Sequence, residues 1–557
     1  MLGRDLVLEA FRQYGVEYLF GNPGTTELPL MDGLVNYPEI KYILGLHEDI
    51  AVGMAAGYAQ ATGKPGVVNL HVAPGLAHGL GNIYDAYRAG VPLVVTTGQH
   101  DIRLGVQEPA LWGDLVALAK SCTKWSYQVH RAEELPIVLH RAFKEALTEP
   151  MGPVLLSFPV DVMWQDVPLS PLPLTRIDQR VSGSREASRQ AVALLRAAER
   201  PVIVAGDRVG RMGAIPELIR LSELIGAPVY QEHQSAGLNF PYNHPHFAGR
   251  FLPNGPAIHE ALKEADVVLF LGVISQAPLL YFDKPLVQPG TKVISVDLSP
   301  WEIGKNMPAD VAILGHPREV LAAWVEMLQA ELTPADEGRC QKRREQLQQQ
   351  QREREEAKAR ELAAVQEQMP LSPAVVMAEL NHYLTDDVFV VDESVTTGRY
   401  VHRYLELRRP GAFIGLKGGG LGYGMPAALG AQLGRPSERV VAIIGDGSSY
   451  YYIQSLWNAA RYNLPVLYLI INNTSYMILK GGMLTLNGVS AKQGAFPGMD
   501  LDQPEIDLVS VARGFGVEAQ RIETREELKK ALQHAFSERK PYLLDVVVDR
   551  TVKPYLA

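Results

Sequence analysis

Short runs that are apolar at nearly every position alternate along this chain with longer stretches in which apolar residues recur every three or four places. Tyr18-Leu19-Phe20, Gly66-Val67-Val68-Asn69-Leu70, Pro92-Leu93-Val94-Val95-Thr96 and Val154-Leu155-Leu156-Ser157-Phe158 are the runs of the first block. A strand with no polar side must be covered on both faces, so helices lie between such strands and the sheet is parallel. The alternation restarts at Pro201-Val202-Ile203-Val204-Ala205-Gly206 and continues through 266–272 and 292–296. It begins a third time near Leu371 and includes Val440-Val441-Ala442-Ile443-Ile444 and Val466-Leu467-Tyr468-Leu469-Ile470-Ile471. The expectation is an α/β protein of three domains, 1–170, 185–330 and 371–557, each a parallel sheet covered by helices. Between the last two, residues 331–370 turn to Gln, Arg, Glu, Lys and Ala with few large apolar side chains. Such a segment lacks a core-forming face and predicts a solvated helical or mobile linker.

The first and third blocks share an outline. The helix, Pro-containing turn and buried strand of 82–95 reappear in 455–468, and both blocks close on a helix followed by a strand, at 139–156 and 528–544. Two alike domains flanking an unlike one can hold one ligand between them.

The 440–444 strand runs into Gly445-Asp446-Gly447-Ser448, and Ile453, Leu456, Trp457 and Ala460 mark one face of the following helix. Glycines between strand and helix let backbone N–H groups approach a phosphate, whose charge the helix dipole favours. A Gly-Asp-Gly tripeptide also occurs in plain turns. Here, however, the next strand ends in Asn472-Asn473-Thr474-Ser475, with 24 residues between Gly447 and Asn472. Adjacent parallel strands would set Asp446 beside Asn473 at the carboxyl edge of the sheet, where α/β sheets bind ligands. A carboxylate, an amide oxygen and backbone carbonyls are hard donors suited to Mg²⁺ shared with a diphosphate. The purely structural alternative has Asp446 capping a helix and Asn473 in a turn.

Composition narrows the field. The 557 residues are 47% hydrophobic and 21% charged, which excludes global disorder and allows three or four domains with cores of their own. A net charge of −9 argues against a nucleic-acid-binding surface and for small-molecule chemistry. Cys122 and Cys340 belong to no metal or disulfide pattern, which fits a reducing, cytoplasmic setting. The N-terminal segment lacks the pattern of a signal peptide, and no run approaches the roughly 18 apolar residues of a membrane span.

The Gly-Asp-Gly to Asn-Asn spacing resembles the cofactor signature of thiamine diphosphate enzymes, and the likeness extends over almost the whole chain. That resemblance implies pyrimidine-binding, middle and diphosphate-binding domains in this order, with thiamine diphosphate and Mg²⁺ as cofactors. Gly445, Asp446, Gly447 and Ser448 would face the diphosphate, and Asp446, Asn473 and the main-chain carbonyl of Ser475 would hold the metal. Residues 46–59 resemble the family's glutamate segment, so Glu48 would act on the aminopyrimidine and promote loss of the thiazolium C2 proton. Outside the family, a glutamate opening a helix is an ordinary capping charge. Leu421, in Gly418-Gly419-Gly420-Leu421-Gly422, matches the bulky residue that bends the cofactor, and the Gly419 carbonyl would accept from its amino group. Because Glu48 and Asp446 stand on domains that meet across a subunit interface in this superfamily, the resemblance also implies a homodimer or homotetramer.

Within the superfamily, Gly21-Asn22-Pro23-Gly24-Thr25-Thr26-Glu27, Asn69-Leu70-His71 and Lys124-Trp125-Ser126-Tyr127 resemble segments of benzoylformate decarboxylases. This implies decarboxylation of a 2-oxo acid to an aldehyde and CO₂. His71 would orient the substrate carboxylate and shuttle a proton, and Thr25 stands where that group has a serine for the substrate carboxylate. Leu279 replaces an expected second histidine, Lys480-Gly481-Gly482 replaces a bulky aromatic pair, and His78 replaces an asparagine. Acetolactate synthase shares the His71-Val72 pair, but residues 272–277 lack its FAD-binding segment. The His-His pair of pyruvate decarboxylase is missing. A carboligase or lyase on the same scaffold is the alternative, favoured by Leu279, and a non-catalytic thiamine-diphosphate-binding homologue is the alternative of another class. A dehydrogenase is disfavoured because the glycines at 206 and 418–422 do not follow dinucleotide-binding spacing.

Overall fold

The computed structural model describes residues 1–274 and 277–554. Three six-stranded parallel sheets carry the chain, each flanked by helices. The first comprises β1 (Tyr18–Gly21), β2 (Lys41–Leu44), β3 (Gly66–Leu70), β4 (Leu93–Gln99), β5 (Trp125–Gln128) and β6 (Val154–Pro159). The second comprises β7 (Pro201–Ala205), β8 (Val229–Gln231), β9 (Phe247–Arg250), β10 (Val267–Leu271), β11 (Lys292–Asp297) and β12 (Val311–Leu314). In the third are β13 (Val388–Glu393), β14 (Phe413–Gly415), β15 (Arg439–Gly445), β16 (Leu467–Asn472), β17 (Glu518–Ile522) and β18 (Tyr542–Val547).

The apolar runs read from the sequence are the interior strands; β3, β4 and β6 are buried along their whole length because helices cover both faces. Edge strands such as β2 and β5 are half-polar and only half-buried, so the same pattern passes over them. The first sheet runs β2-β1-β3-β4-β6-β5 and the third β14-β13-β15-β16-β18-β17, the same order element for element. The middle sheet differs, with order β12-β11-β10-β7-β8-β9. In the first and third sheets the direction of winding reverses between β1 and β3 and between β13 and β15, and ligands bind outside the carboxyl ends at such a point.

The first and third domains meet along two helices, Glu48–Thr62 and Gly424–Gly434. Their backbones approach so closely that a Cβ on Gly57 would fall 2.0 Å from the Ala427 carbonyl oxygen, and one on Gly430 1.8 Å from that of Met54. Between the second and third domains lies a buried charge cluster. The Lys417 ammonium is 3.0 Å from Asp207 and 2.8 Å from Glu232, all three buried. Asp207 also accepts from the Ala236 N–H and the Asn239 side-chain amide, each at 3.0 Å.

The segment expected to be a solvated helical or mobile linker is the helix Pro334–Val365, opened by Thr333 and Asp336 in a reciprocal cap. It does pack against its neighbours, through a few residues. Cys340 and Leu347 are buried, and Arg343 donates to the carbonyls of Ile225 (3.0 Å) and Ala198 (2.8 Å), at the ends of two helices of the middle domain. Cationic side chains on terminal helix carbonyls satisfy groups that have no partner within their own helix. Composition alone could not show this attachment, because it runs through polar ends rather than an apolar face.

Candidate active site

At the winding reversal of the first sheet, β1 leads into Asn22-Pro23-Gly24 and β3 into His71. His71 Nδ1 is 2.7 Å from Glu27 Oε2. Glu27 is buried, and its carboxylate also accepts from the N–H groups of Gly24 (2.9 Å) and Gly98 (2.8 Å) and the hydroxyl of Thr26 (2.8 Å). A carboxylate surrounded by donors fixes the imidazole tautomer: Nδ1 carries the hydrogen and Nε2 is left free, without a hydrogen bond among the described residues. Gly24 has to be glycine, since a Cβ there would lie 2.1 Å from His71 Nδ1. Thr25 opens the short turn Thr25–Glu27, is exposed and makes no hydrogen bond among the described residues. Thr26, not Thr25, lies beside the histidine, its hydroxyl 3.2 Å from Nδ1.

Glu48 is the first residue of its helix, directly after His47, whose ring nitrogen accepts from the Asp49 N–H at 3.1 Å. The Glu48 side chain is 16% exposed, and its Oε2 lies 3.1 Å from Nδ1 of His78, which stacks on His47 with ring centroids 5.2 Å apart.

In the third sheet, β15 and β16 are neighbours, with Gly445 opposite Ile471, so Asp446 and Asn473 emerge together at the carboxyl edge. Two side-chain oxygens here are buried without a hydrogen-bond partner, Asp446 Oδ2 and Asn473 Oδ1. Burial pushes the Asp446 carboxyl up to about 6. Asn472, by contrast, is fully used: its amide donates to Asp545 at 2.8 Å and accepts from the Thr474 N–H at 3.1 Å. Ser475 donates to the Met499 carbonyl at 3.1 Å. Gly445 caps the short helix Asp446–Ser449, which contains Gly447 and the buried Ser448; a Cβ on Gly447 would press on the Tyr476 ring at 2.7 Å.

The glycine loop before the Gly424–Gly434 helix is clamped from below. Glu393, at the end of β13, accepts from the N–H groups of Gly422 (2.6 Å) and Gly424 (2.5 Å), and its complete burial pushes its carboxyl up to about 8. Leu421, half-buried, stands in this loop directly before Gly422. Gly419 has φ +88° and Gly422 φ +98°, a region that suits glycine, and a Cβ on Gly422 would strike Tyr452 at 2.4 Å. Near this loop opens a cavity of about 670 Å³, lined by the helix Pro334–Val365 and by second- and third-domain residues that include Leu279, Arg250, His402, Glu393 and Ile478.

Residues 1–111, 188–324 and 395–546 match, respectively, the N-terminal TPP binding domain, the central domain and the C-terminal TPP binding domain of thiamine pyrophosphate (thiamine diphosphate) enzymes. The chain belongs to the thiamine diphosphate enzyme family. A benzoylformate decarboxylase from Pseudomonas aeruginosa is 33% identical to it, over 98% of this chain and 98% of its own. A probable acetolactate synthase large subunit from Methanocaldococcus jannaschii is 29% identical, over 99% of this chain and 92% of its own. Among solved structures, the thiamine diphosphate-dependent 4-hydroxybenzoylformate decarboxylase of Rhodococcus jostii RHA1 superposes with a TM-score of 0.86 at 29% identity, over 99% of this chain and all 100% of the other.

A thiamine diphosphate enzyme needs an anion cradle and a cation that binds the diphosphate, and the residues present fit both. The orphan oxygens of Asp446 and Asn473 are hard donors suited to a cation, and the glycine turn opens a helix, whose N-terminal end favours an anion. Glu27, Glu393 and His78 have no role that their places in the sequence motifs suggest. The contacts of Glu27 with Gly98 and His71, of Glu393 with Gly422 and of His78 with Glu48 join segments far apart in the chain. Leu279 is 62% exposed on the cavity wall. A Cβ on Gly482 would meet no atom within 4 Å, in keeping with the space expected there. Ser275 and Gln276, part of the stretch weighed against FAD binding, lie outside the described residues. No helix among the described residues is long and apolar enough to cross a membrane.

Proposed function

We propose that this thiamine diphosphate enzyme catalyses the non-oxidative decarboxylation of a 2-oxo acid, taking up one proton and releasing an aldehyde and CO₂. The observation that carries the reading is His71, held by buried Glu27 in the tautomer that leaves Nε2 free to accept, carry and deliver that proton. When bound, thiamine diphosphate supplies the nucleophilic carbon and the electron sink. Around it, Asp446, Asn473 and the Ser475 carbonyl would hold Mg²⁺, and Gly445, Gly447 and Ser448 the diphosphate. Glu48 would exchange a proton with the aminopyrimidine ring, the Gly419 carbonyl would accept from its amino group, and Leu421 would support the bend between the rings. His71 and the Thr25 hydroxyl would orient the substrate carboxylate.

Carboligation is the second reading, favoured by Leu279: an apolar side chain on the cavity wall offers no proton, so a second aldehyde can compete for the intermediate. The absence of first-domain residues from the cavity lining supports an assembly in which a second copy closes the site, a homodimer or a dimer of dimers; sedimentation of the active protein as a monomer would contradict it.

The test is turnover of the purified protein with thiamine diphosphate and Mg²⁺ on benzoylformate, pyruvate and branched-chain 2-oxo acids, following CO₂ and the organic product with and without added aldehyde. Aldehyde with stoichiometric CO₂ is expected; acyloin formation or cleavage without CO₂ would favour the second reading. Two variants sharpen it. His71→Ala is expected to lower kcat on the best substrate by about 10²- to 10⁴-fold, the usual contribution of a positioned acid–base group, with cofactor affinity retained in an equilibrium titration. Asp446→Ala is expected to weaken Mg²⁺-supported cofactor binding by at least about 10- to 100-fold, the loss common even for outer partners of a metal; fluorescence titration at fixed Mg²⁺ reads it directly.

A further inference from the structure

The cavity beside the third sheet has an excess of positive charge on its wall. Lys358 pairs with Glu355 at 3.2 Å and Arg403 with Glu361 at 2.8 Å, so these cancel. Of the two other carboxylates, Asp392 accepts from both the N–H (2.9 Å) and the hydroxyl (2.6 Å) of Ser394 and lies within the field of Arg250 without forming an ion pair with it, and Glu393 is taken up by the glycine loop, which leaves five cationic side chains against four carboxylates on the wall. Arg250, Arg354 and Arg399 line the same cavity and pair with no carboxylate among the described residues.

Arg250 is the most firmly held of the three. It is half-buried at the end of β9, and one guanidinium nitrogen, Nη1, donates to Nε2 of His402. His402 Nδ1 lies 2.9 Å from the hydroxyl of Tyr242. Burial holds the His402 imidazole well below its ordinary value, so it is neutral and accepts from the arginine rather than repelling it. The guanidinium is thereby anchored from behind, and its remaining donors make no hydrogen bond among the described residues. An arginine fork fixed in advance loses little freedom when it takes a carboxylate with two parallel hydrogen bonds. The cavity, at about 670 Å³, gives room for a long substrate.

We propose that the 2-oxo acid taken by this site carries a second carboxylate, at the end remote from the 2-oxo group, and that Arg250 binds it. This rests on the decarboxylase reading and adds the substrate class to it. The alternative source of negative charge is a carboxylate of a second copy of the chain, and the experiment separates the two.

The measurement is kcat/KM by CO₂ release for pairs of 2-oxo acids that differ in the terminal carboxylate: 2-oxoadipate against 2-oxohexanoate, and 4-carboxybenzoylformate against benzoylformate. The enzyme is expected to prefer the dicarboxylate in at least one pair. Arg250→Gln is expected to lower that preference about 10- to 100-fold, the worth of a charged hydrogen-bonded contact, with the change mainly in KM. Arg250→Lys, which keeps the charge but not the fork, should fall between. A preference for the monocarboxylate in both pairs, or a ratio unmoved by Arg250→Gln, would overturn the proposal. So would dissociation of the variant into smaller species with an unchanged ratio, which would assign Arg250 to a contact between copies. If no 2-oxo acid releases CO₂, the decarboxylase reading fails by itself. Calorimetric binding of the same pairs to the cofactor-loaded protein then tests Arg250 separately: tighter dicarboxylate binding lost in the variant supports the proposal, and equal binding overturns it.

Discussion

Glu48→Gln is expected to reduce turnover by about two to four orders of magnitude, the range for a general acid–base group, without disturbing the fold. Glutamine has the shape of glutamate and can still engage His78, so the helix start and the His47–His78 stack remain. What it cannot do is exchange a proton. The readout that isolates this step is hydrogen–deuterium exchange at C2 of bound thiamine diphosphate, measured by NMR after acid quench. Exchange should slow in step with kcat while the cofactor still binds. Undiminished exchange in the variant would show that Glu48 is only the capping charge that a helix start ordinarily carries.

The second large effect concerns stability. Lys417→Met leaves Asp207 and Glu232 buried without their cation, and breaking one partner of a buried ion pair costs about 3–5 kcal/mol. Burial would raise the Asp207 carboxyl, but Lys417 holds it well below the usual carboxylate range. A depressed carboxylate contributes stability above its unfolded value, near 4, and loses it only as pH falls through the depressed one. In the variant the carboxyl rises instead, and protonation relieves it. The deficit should therefore be largest near pH 8 and shrink on acidification toward pH 5. Thermal and urea unfolding of the holoenzyme at the two pH values check both sign and size; an equal deficit at both would mean that lost packing, not charge, is responsible.

Where the sequence was informative, the reason was local. Interior strands have no polar face, so β3, β4, β6, β15 and β16 announce themselves as apolar runs. The kinship of the first and third domains was legible in their repeated helix–turn–strand outline and becomes an identical strand order. Asp446 and Asn473 were legible because neighbouring parallel strands deliver successive strand ends to one edge. What escaped notice depends on contacts between distant segments. Glu27 is one glutamate among many until β4 brings the Gly98 N–H to it and β3 brings His71. Arg343 binds helix ends more than a hundred residues earlier in the chain. His78 stood in the sequence without a role, and only folding brings it to Glu48.

The helix that starts at Glu48 and the one that follows Leu421 touch backbone to backbone at Gly57 and Gly430, with no side chain between them. A seam of that kind leaves nothing to trim and nothing to enlarge: any substitution at either glycine pushes the helices apart and moves Glu48 and the Leu421 loop with them. The cavity wall is under no such restriction at Leu279, which is exposed there. The two regions therefore differ in tolerance: the wall accepts change one residue at a time, while the seam fixes the separation of Glu48 and the Leu421 loop.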